Sequence, residues 1–365
     1  MARTLVVSDL HLGTRAGSDV LRREGVLEEL FAALDGVDRL VLLGDTLELR
    51  HGDARSVLGR ARTVLEALGE HLGERRVVLV PGNHDHSLAG SWLERRSGPL
   101  GLEQRFAPAE ASFVAQAVAE MLAPAPVEIA YPGLWLGEGT YALHGHQLDV
   151  HMTVPTIERL AVAMSGRLAL AGDRRWDDVR SVDDYEALIA PVYAWADAAA
   201  RSGRPSEAID GGRTVKAWNA LRSARAGALR ARAFPLAFPW LVRGANAAGL
   251  GPLRTELSTA ELRRAGLRAI SVDIERLGID ARHVIFGHTH RAGMLEGDEP
   301  AEWLTPNGTR LHNCGCWVFS PTFSHGPQSP YWPGAAVVVD DAGGEPPRLL
   351  RLLGDRSAAQ LTASH

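Results

Sequence analysis

An Asp and a His two residues apart, and later two His two residues apart, match the spacing by which an extended loop chelates an ion. The chain holds both, as Asp9-Leu10-His11 and Gly287-His288-Thr289-His290. Between them stand Gly44-Asp45, Gly82-Asn83-His84-Asp85 and His144-Gly145-His146. Asp9, His11, Asp45, Asn83, His144, His288 and His290 thus offer hard oxygen and borderline nitrogen ligands, a mixture that suits Mn, Fe or Zn. Asp45 is a candidate bridge, because a carboxylate has two oxygens and can serve two cations. Asn83 adds a neutral amide oxygen that limits the total charge. Two divalent ions about 3.5–4 Å apart turn a bridging water into hydroxide and stabilise a phosphoryl group in transfer. His84 stands beside this set, able to protonate a leaving oxygen or hold a phosphoryl oxygen, with Asp85 placed to orient it. The expected site therefore has seven metal ligands and two catalytic residues, His84 and Asp85.

Such a site needs elements that bring distant loops together. Each motif follows an apolar run of strand type: Thr4–Val7, Leu40–Leu43, Val77–Val80, Tyr141–Leu143 and His283–Phe286. Residues 1–90 predict strand–helix alternation, with helices over Ser18–Leu34 and Ala54–His71. Asp9 to Asp45 is 36 residues and Asp45 to Asn83 is 38, which fits repeated βαβ units in a parallel or mixed sheet. Trp92–Leu122 reads as mostly helical, with strands near Val127–Ile129 and Leu134–Leu136. Later strands are expected at 302–304, 315–319 and 335–339.

Residues 152–268 differ, being rich in Ala, Leu and Arg with apolar residues at helical spacing, as in Ile157, Leu160, Ala161, Met164 and Leu168. Pro191, Pro205, Gly211-Gly212, Pro235 and Pro239 cut the segment into several helices. It is expected to be a helical cap inserted into a core of 1–151 and 269–345, with a tail from 346 to 365. The helix marked by Leu267, Ile270, Ile274 and Leu277 runs on toward His283 and is assigned to the core. Phe234, Phe238 and Trp240 read as cap core or as an apolar surface for substrate.

Composition excludes several classes. Net charge is −5, with no basic run longer than an Arg pair, so no nucleic-acid footprint is visible. Lys216 is the single lysine among 39 basic residues, which reads as codon bias. Cys314 and Cys316 are too few for a disulfide framework or a zinc knuckle and read as small reduced core residues. The most apolar stretch, Ala233–Val242, is half of the ~20 residues that a spanning helix needs, so only peripheral membrane contact stays open. The amino terminus enters a strand at once, without a charged and then apolar leader, and the expected location is the cytoplasm.

Any one motif is weak: Asp-x-His arises by chance, and Gly-Asn-His-Asp or Gly-His-Thr-His can be an ordinary turn. Five in order, each after a strand, resemble the calcineurin-like metallophosphoesterase superfamily. Its signature is D-x-H, G-D-x-x-[DE], G-N-H-[DE], a lone His often followed by Gly, and G-H-x-H. The likeness spans about residues 4–340, apart from the helical middle. It implies Asp9, His11, Asp45 and His290 at one metal, Asp45, Asn83, His144 and His288 at the other, and His84 as catalytic imidazole. The implied fold is α/β, a four-layer α/β/β/α sandwich of two mixed sheets carrying a helical cap. Leu43–Glu48 and Cys314–Val318 look like the bacterial UDP-diacylglucosamine pyrophosphatase branch, although that branch has Arg at the place of His84 and a shorter insertion.

The expected function is a dinuclear metal-dependent phosphoesterase, hydrolysing a phosphoester or pyrophosphate bond by attack of a metal-bridging hydroxide. Its substrate would carry an apolar portion if the cap lining is apolar. The alternatives are a non-catalytic scaffold on the same fold, or, among enzymes, a nucleotide-lipid pyrophosphatase or a cyclic-nucleotide phosphodiesterase. A decayed scaffold would lack ligands, and here none is missing. His86, His146, Asp149 and His151 lie near the motifs in sequence, and Glu48 either orients a ligand or caps the next helix. His51, His71, His283, His312, His325 and His365 read as ordinary surface or core residues.

Overall fold

Strands β1 (Arg3–Val7), β2 (Arg39–Leu43) and β3 (Arg76–Val80) are each buried at their last four positions. Near-continuous apolar runs of this kind belong to parallel strands covered on both faces. The computed structural model describes residues 2–155, 159–163, 165, 178–201, 240, 242–248, 250–256, 258–341 and 345–362. In it β1 and β2 pair in parallel with Val7 opposite Leu42, and β2 and β3 with Leu43 opposite Val80. The three strands therefore end level, and the loops that follow them leave the sheet side by side.

The sheet continues through β4 (Glu103–Phe106), β5 (Val127–Trp135), β6 (Thr140–Leu143), β7 (His283–Phe286), β8 (Ala292–Gly293), β9 (Arg310–Cys314), β10 (Ala335–Asp340) and β11 (Arg348–Arg351). Its order is β11-β10-β1-β2-β3-β5-β6-β7-β9-β8, with β4 paired to β5 off this path. β5 joins the halves: Val127–Ile129 pair in parallel with β3, and Gly133–Trp135 pair antiparallel with β6. β6, β7 and β9 run parallel to one another, so the residues after Leu143 and Phe286 also emerge at neighbouring strand ends. One apolar cluster includes Val6, Val41 and Val78 from the first half with Ala142, Ile285 and Cys314 from the second.

Two long helices follow the first strands. Helix α1 (Val26–Leu34) begins only after Gly25, whose left-handed φ of 70° interrupts the helix expected from Ser18. Helix α2 (Ala54–Leu72) is capped by Asp53, whose carboxylate accepts from Ser56 N–H. The region expected to be mostly helical, Trp92–Leu122, contains strand β4, which pairs with β5 through Glu103–Phe106. Strand 315–319 is not formed, since β9 ends at Cys314 and only Val318 bridges to Asp19. Around 302–304 the chain is a short 3-10 turn, Pro300–Trp303. Cys314 and Cys316 are buried free thiols.

The chain divides into two compact units, Met1–His146 with Ile279–His365, and Gln147–Gly278. The second unit contains the helices Val182–Arg201 and Thr259–Leu277. Its apolar cluster joins Val150, Val162, Tyr185, Leu188 and Ile189, with Leu277 packed against it. The helix Thr259–Leu277 thus groups with the insertion, where the sequence had placed it in the core. Trp240 is exposed, while Phe234 and Phe238 lie outside the described residues. Among the described residues no helix is long and apolar enough to cross a membrane.

Two glycines of α2 test this packing. A Cβ on Gly69 would run into the Leu122 backbone, whereas one on Gly59 meets nothing. Gly69→Ala should cost roughly 1–3 kcal/mol despite better helix propensity, and Gly59→Ala should gain about 0.5–1 kcal/mol. Denaturant midpoints of the two variants check both signs.

Candidate metal centre

Among the described residues, the non-glycine residues with positive φ are Asp9 (57°), His11 (45°), Asp45 (52°), His288 (64°) and His290 (58°). All five are expected ligands. A left-handed backbone is costly for side chains of this kind, and such strain collects where a site demands a particular direction. The loops are held by their neighbours: Asp9 N–H donates to Gly44 O at 3.1 Å, His11 N–H to Asp45 O at 2.8 Å, and Gly287 N–H to His144 O at 3.0 Å. Gly44 (φ 85°) and Gly82 have no room for a Cβ, which would strike the His144 ring and the Asp45 carboxylate respectively.

These constraints bring all seven expected ligands together. Asp9, His11 and His290 present ligand atoms within 4.8 Å of one another, as do Asp45, His144 and His288, and as do His11, Asp45 and His84. His290 Nε2 lies 3.2 Å from Asp9 Oδ1 and 3.1 Å from His11 Nε2. Asp45 Oδ2 lies 3.4 Å from His144 Nε2 and 3.7 Å from His11 Nε2, between the two groups.

In Asp9, Asp45, His144 and His11 the other polar atom of the side chain is engaged elsewhere. Asp9 Oδ2 accepts from His288 N–H and lies 2.6 Å from Ser8 Oγ, while its Oδ1 is buried with no donor. Asp45 Oδ1 accepts from His84 N–H at 2.8 Å. His144 Nδ1 stands 2.9 Å from Leu43 O, and His11 Nδ1 2.9 Å from Glu48 Oε2. Imidazoles held by an oxygen at one nitrogen and aimed inward with the other are the usual metal-site arrangement.

Asn83 gives the sharpest indication of what fits. Its Oδ1 faces Asp45 Oδ2 at 3.1 Å, His144 Nε2 at 3.2 Å and His288 Nδ1 at 3.1 Å. Only if the amide were turned over would the NH2 meet these three atoms. A carboxylate oxygen, an amide oxygen and two imidazole nitrogens that converge in this way fit a divalent cation.

The calcineurin-like phosphoesterase family model matches residues 2–211, more than half of the sequence. This chain belongs to the calcineurin-like phosphoesterase family. No curated protein matches it. Among solved structures, the cold-active protein-tyrosine phosphatase of a psychrophilic Shewanella species is similar at 13% identity and a TM-score of 0.30, over 93% of this chain and 76% of that one.

Within this phosphoesterase-family site the role expected of Asp85 needs correction. Its carboxylate does not orient His84; it accepts from the backbone N–H groups of Gly82 (2.7 Å), Asp45 (3.2 Å), Thr46 (2.7 Å) and Leu47 (3.1 Å). Asp85 therefore pins the Asp45 loop to the Asn83 loop. Glu48 is the carboxylate on His84, both of its oxygens 2.9 Å from Nδ1, and it also holds His11. The G-D-x-x-E spacing carried the signal, but sequence alone left Glu48 between an orienting and a capping role.

Arg50 was missed altogether. This buried guanidinium has Nη1 3.5 Å from His84 Nε2, and its Nη2 lies 3.2 Å from the Asn83 amide atom that faces away from the ligand cluster. Nothing in a single arginine within Leu49-Arg50-His51 distinguishes it in sequence. His146 is buried beside the His144 ring, 5.6 Å between centroids, whereas His151 belongs to the second unit and lies 2.8 Å from Tyr185 OH.

Electrostatics follow from crowding. Burial alone would raise Asp9, but His290 and His144 pull it down to about 2. Burial opposes the charged form of His144 too, yet Asp45 and Asp9 push it up to about 9. His84 goes the other way, to about 4, because burial and Arg50 outweigh Glu48 and Asp45.

A metal ligand must be neutral imidazole, so an ion has to displace the His144 proton below that pH. Metal affinity of the chelator-treated protein should therefore climb from neutral pH and level off near pH 9. Titrations with proton release measured in weak buffer check this; affinity flat across the range would show that His144 is not a ligand. Separately, Asp85→Ala should lower both ion content and stability, by roughly 2–4 kcal/mol, as four buried N–H groups lose their acceptor.

Proposed function

We propose that this chain is a dinuclear metal-dependent phosphoesterase that hydrolyses a phosphoester or pyrophosphate bond. The observation that supports the reading is the grouping of ligand atoms: Asp9 with His11 and His290, and Asp45 with His144 and His288, Asn83 Oδ1 standing 3.2 Å from His144 Nε2 and 3.1 Å from His288 Nδ1. Asp9, His11, Asp45 and His290 would hold one ion, and Asp45, Asn83, His144 and His288 the other, with Mn, Fe or Zn suited to the donors. Bound there, the ions would supply an acidified water and positive charge beside the phosphorus.

The chain's own residues supply the remainder. If Asn83 ligates through Oδ1, its NH2 and the Arg50 Nη2 are two donors 3.2 Å apart beside the ligand cluster. A phosphoryl oxygen is an acceptor that such a pair of donors can hold. Glu48 occupies Nδ1 of His84, so Nε2 is the nitrogen presented on the Arg50 side. At neutral pH His84 enters neutral, and the negative charge of a bound phosphoryl group favours its protonation; from Nε2 it would then donate to the leaving oxygen. Integrity of the set argues against a decayed scaffold.

The finer architecture belongs to the same reading. We take β5 as the strand at which the sheet turns over, giving the two central layers of a four-layer sandwich; the shared apolar cluster supports this. The unit Gln147–Gly278 begins three residues after His144, and we assign substrate selection to it. The likeness to the nucleotide-lipid pyrophosphatase branch makes a pyrophosphate substrate part of the test.

Phosphomonoesters, diesters and pyrophosphates should be assayed with Mn, Zn or Fe returned to chelated protein. At least one class should turn over, and His84→Ala should slow it roughly 10²–10⁴-fold while two ions per chain remain bound. Full ion binding with no turnover on any class would make the chain a scaffold; loss of the ions in the variant would make His84 a ligand.

A further inference from the structure

Arg15 and Arg60 bring two guanidinium groups to one notch beside the loop that carries His11. We propose that this notch is an oxyanion subsite for a second phosphate group on the substrate, distinct from the group that is hydrolysed. The anion site stands on its own geometry, and its use by substrate rests on the phosphoesterase reading.

Gly13 lies two residues past His11, at most about 7 Å along the chain. Arg60 Nε donates to Gly13 O at 2.6 Å, which fixes the plane of its fork. Its Nη2 is buried with no partner. Gly52, two residues past Arg50, faces both arginines: a Cβ there would lie 3.5 Å from Arg15 Nε and Nη2 and 3.7 Å from Arg60 Nη2. The Leu12–Leu47 bridge and the bond from Glu48 N–H to Leu12 O tie the His11 and Asp45 loops together.

The nearby carboxylates are engaged. Asp19 binds Arg22 at 2.6 and 2.5 Å and also accepts from Gly13 N–H. Asp53 caps α2, accepting from Ser56 N–H at 3.0 Å and Ser56 Oγ at 2.6 Å. Among the described residues neither Arg15 nor Arg60 forms an ion pair, whereas Arg22 nearby is paired with Asp19. Burial first, then the charges of Arg15 and Arg22, lower the pKa of Arg60 against the opposing pull of Asp53 and Asp19. Two adjacent planar forks match the several oxygens of a phosphate group better than a single lysine would. Since the notch follows directly on the ligand loops, a second phosphate on the substrate is its natural occupant.

The test has two arms. Inorganic pyrophosphate titrated calorimetrically into chelator-treated full-length protein should bind, and Arg15→Gln should weaken it roughly 10- to 100-fold. Arg15 is exposed and makes no hydrogen bond among the described residues, so an unchanged melting temperature is expected. In the second arm, on metal-loaded enzyme, Arg15→Gln should raise KM for a bisphosphorylated ester and leave its kcat, and both constants for the matched monophosphate, unchanged. Equal pyrophosphate affinity in wild type and variant would overturn the subsite. Weakened pyrophosphate binding with unchanged KM for both esters would overturn the assignment to substrate and leave a site for a free anion. If no ester is hydrolysed by the wild type, the phosphoesterase reading falls while the binding arm still decides the notch.

Discussion

Electron-rich atoms do not gather in a protein interior without a cation to hold them, and the core of this fold is organised around such a gathering. Asp9, Asp45 and Asn83 turn oxygens toward imidazole nitrogens at 3.1–3.4 Å. In the polypeptide alone the repulsion is relieved by protons, which is why His144 is pushed up to about 9 and His290 well above the usual histidine range. A divalent ion does the same with more charge and with fixed direction. The left-handed φ values of Asp9, His11, Asp45, His288 and His290 are the backbone cost of that arrangement.

Such strain persists only on a rigid support. β1, β2 and β3 end level because their registers match, and the parallel set β6, β7 and β9 brings His144 and His288 to adjacent ends. Two carboxylates outside the ligand set then divide the work. Asp85 satisfies four backbone N–H groups and so replaces secondary structure where the loops have none. Glu48 spans His11 and His84, coupling the orientations of the two rings.

The candidate ligands all lie in the unit Met1–His146 with Ile279–His365, while the unit Gln147–Gly278 has an apolar cluster of its own around Tyr185, Leu188 and Ile189. Sites on strand-end loops of a rigid sheet can in general accept insertions between those loops without the sheet being rebuilt.

The candidate ligands were legible in sequence because each is a short motif placed after an apolar run, and a run of that kind says both that a strand exists and where it ends. The alternation of strand and helix over residues 1–90 and the two buried thiols were legible for the same reason: they depend on local composition and period. What stayed hidden depends on contacts between distant segments. Strand β4 reads as helical in sequence and is a strand because β5 offers it an edge. Gly25 broke a helix that periodicity alone would have carried back to Ser18. Asp85 and Glu48 could not be told apart in role by spacing, since an orienting carboxylate is defined by the ring it touches. Arg50 had no motif at all; it matters because folding sets its guanidinium beside His84 and Asn83, a proximity that only the tertiary structure decides.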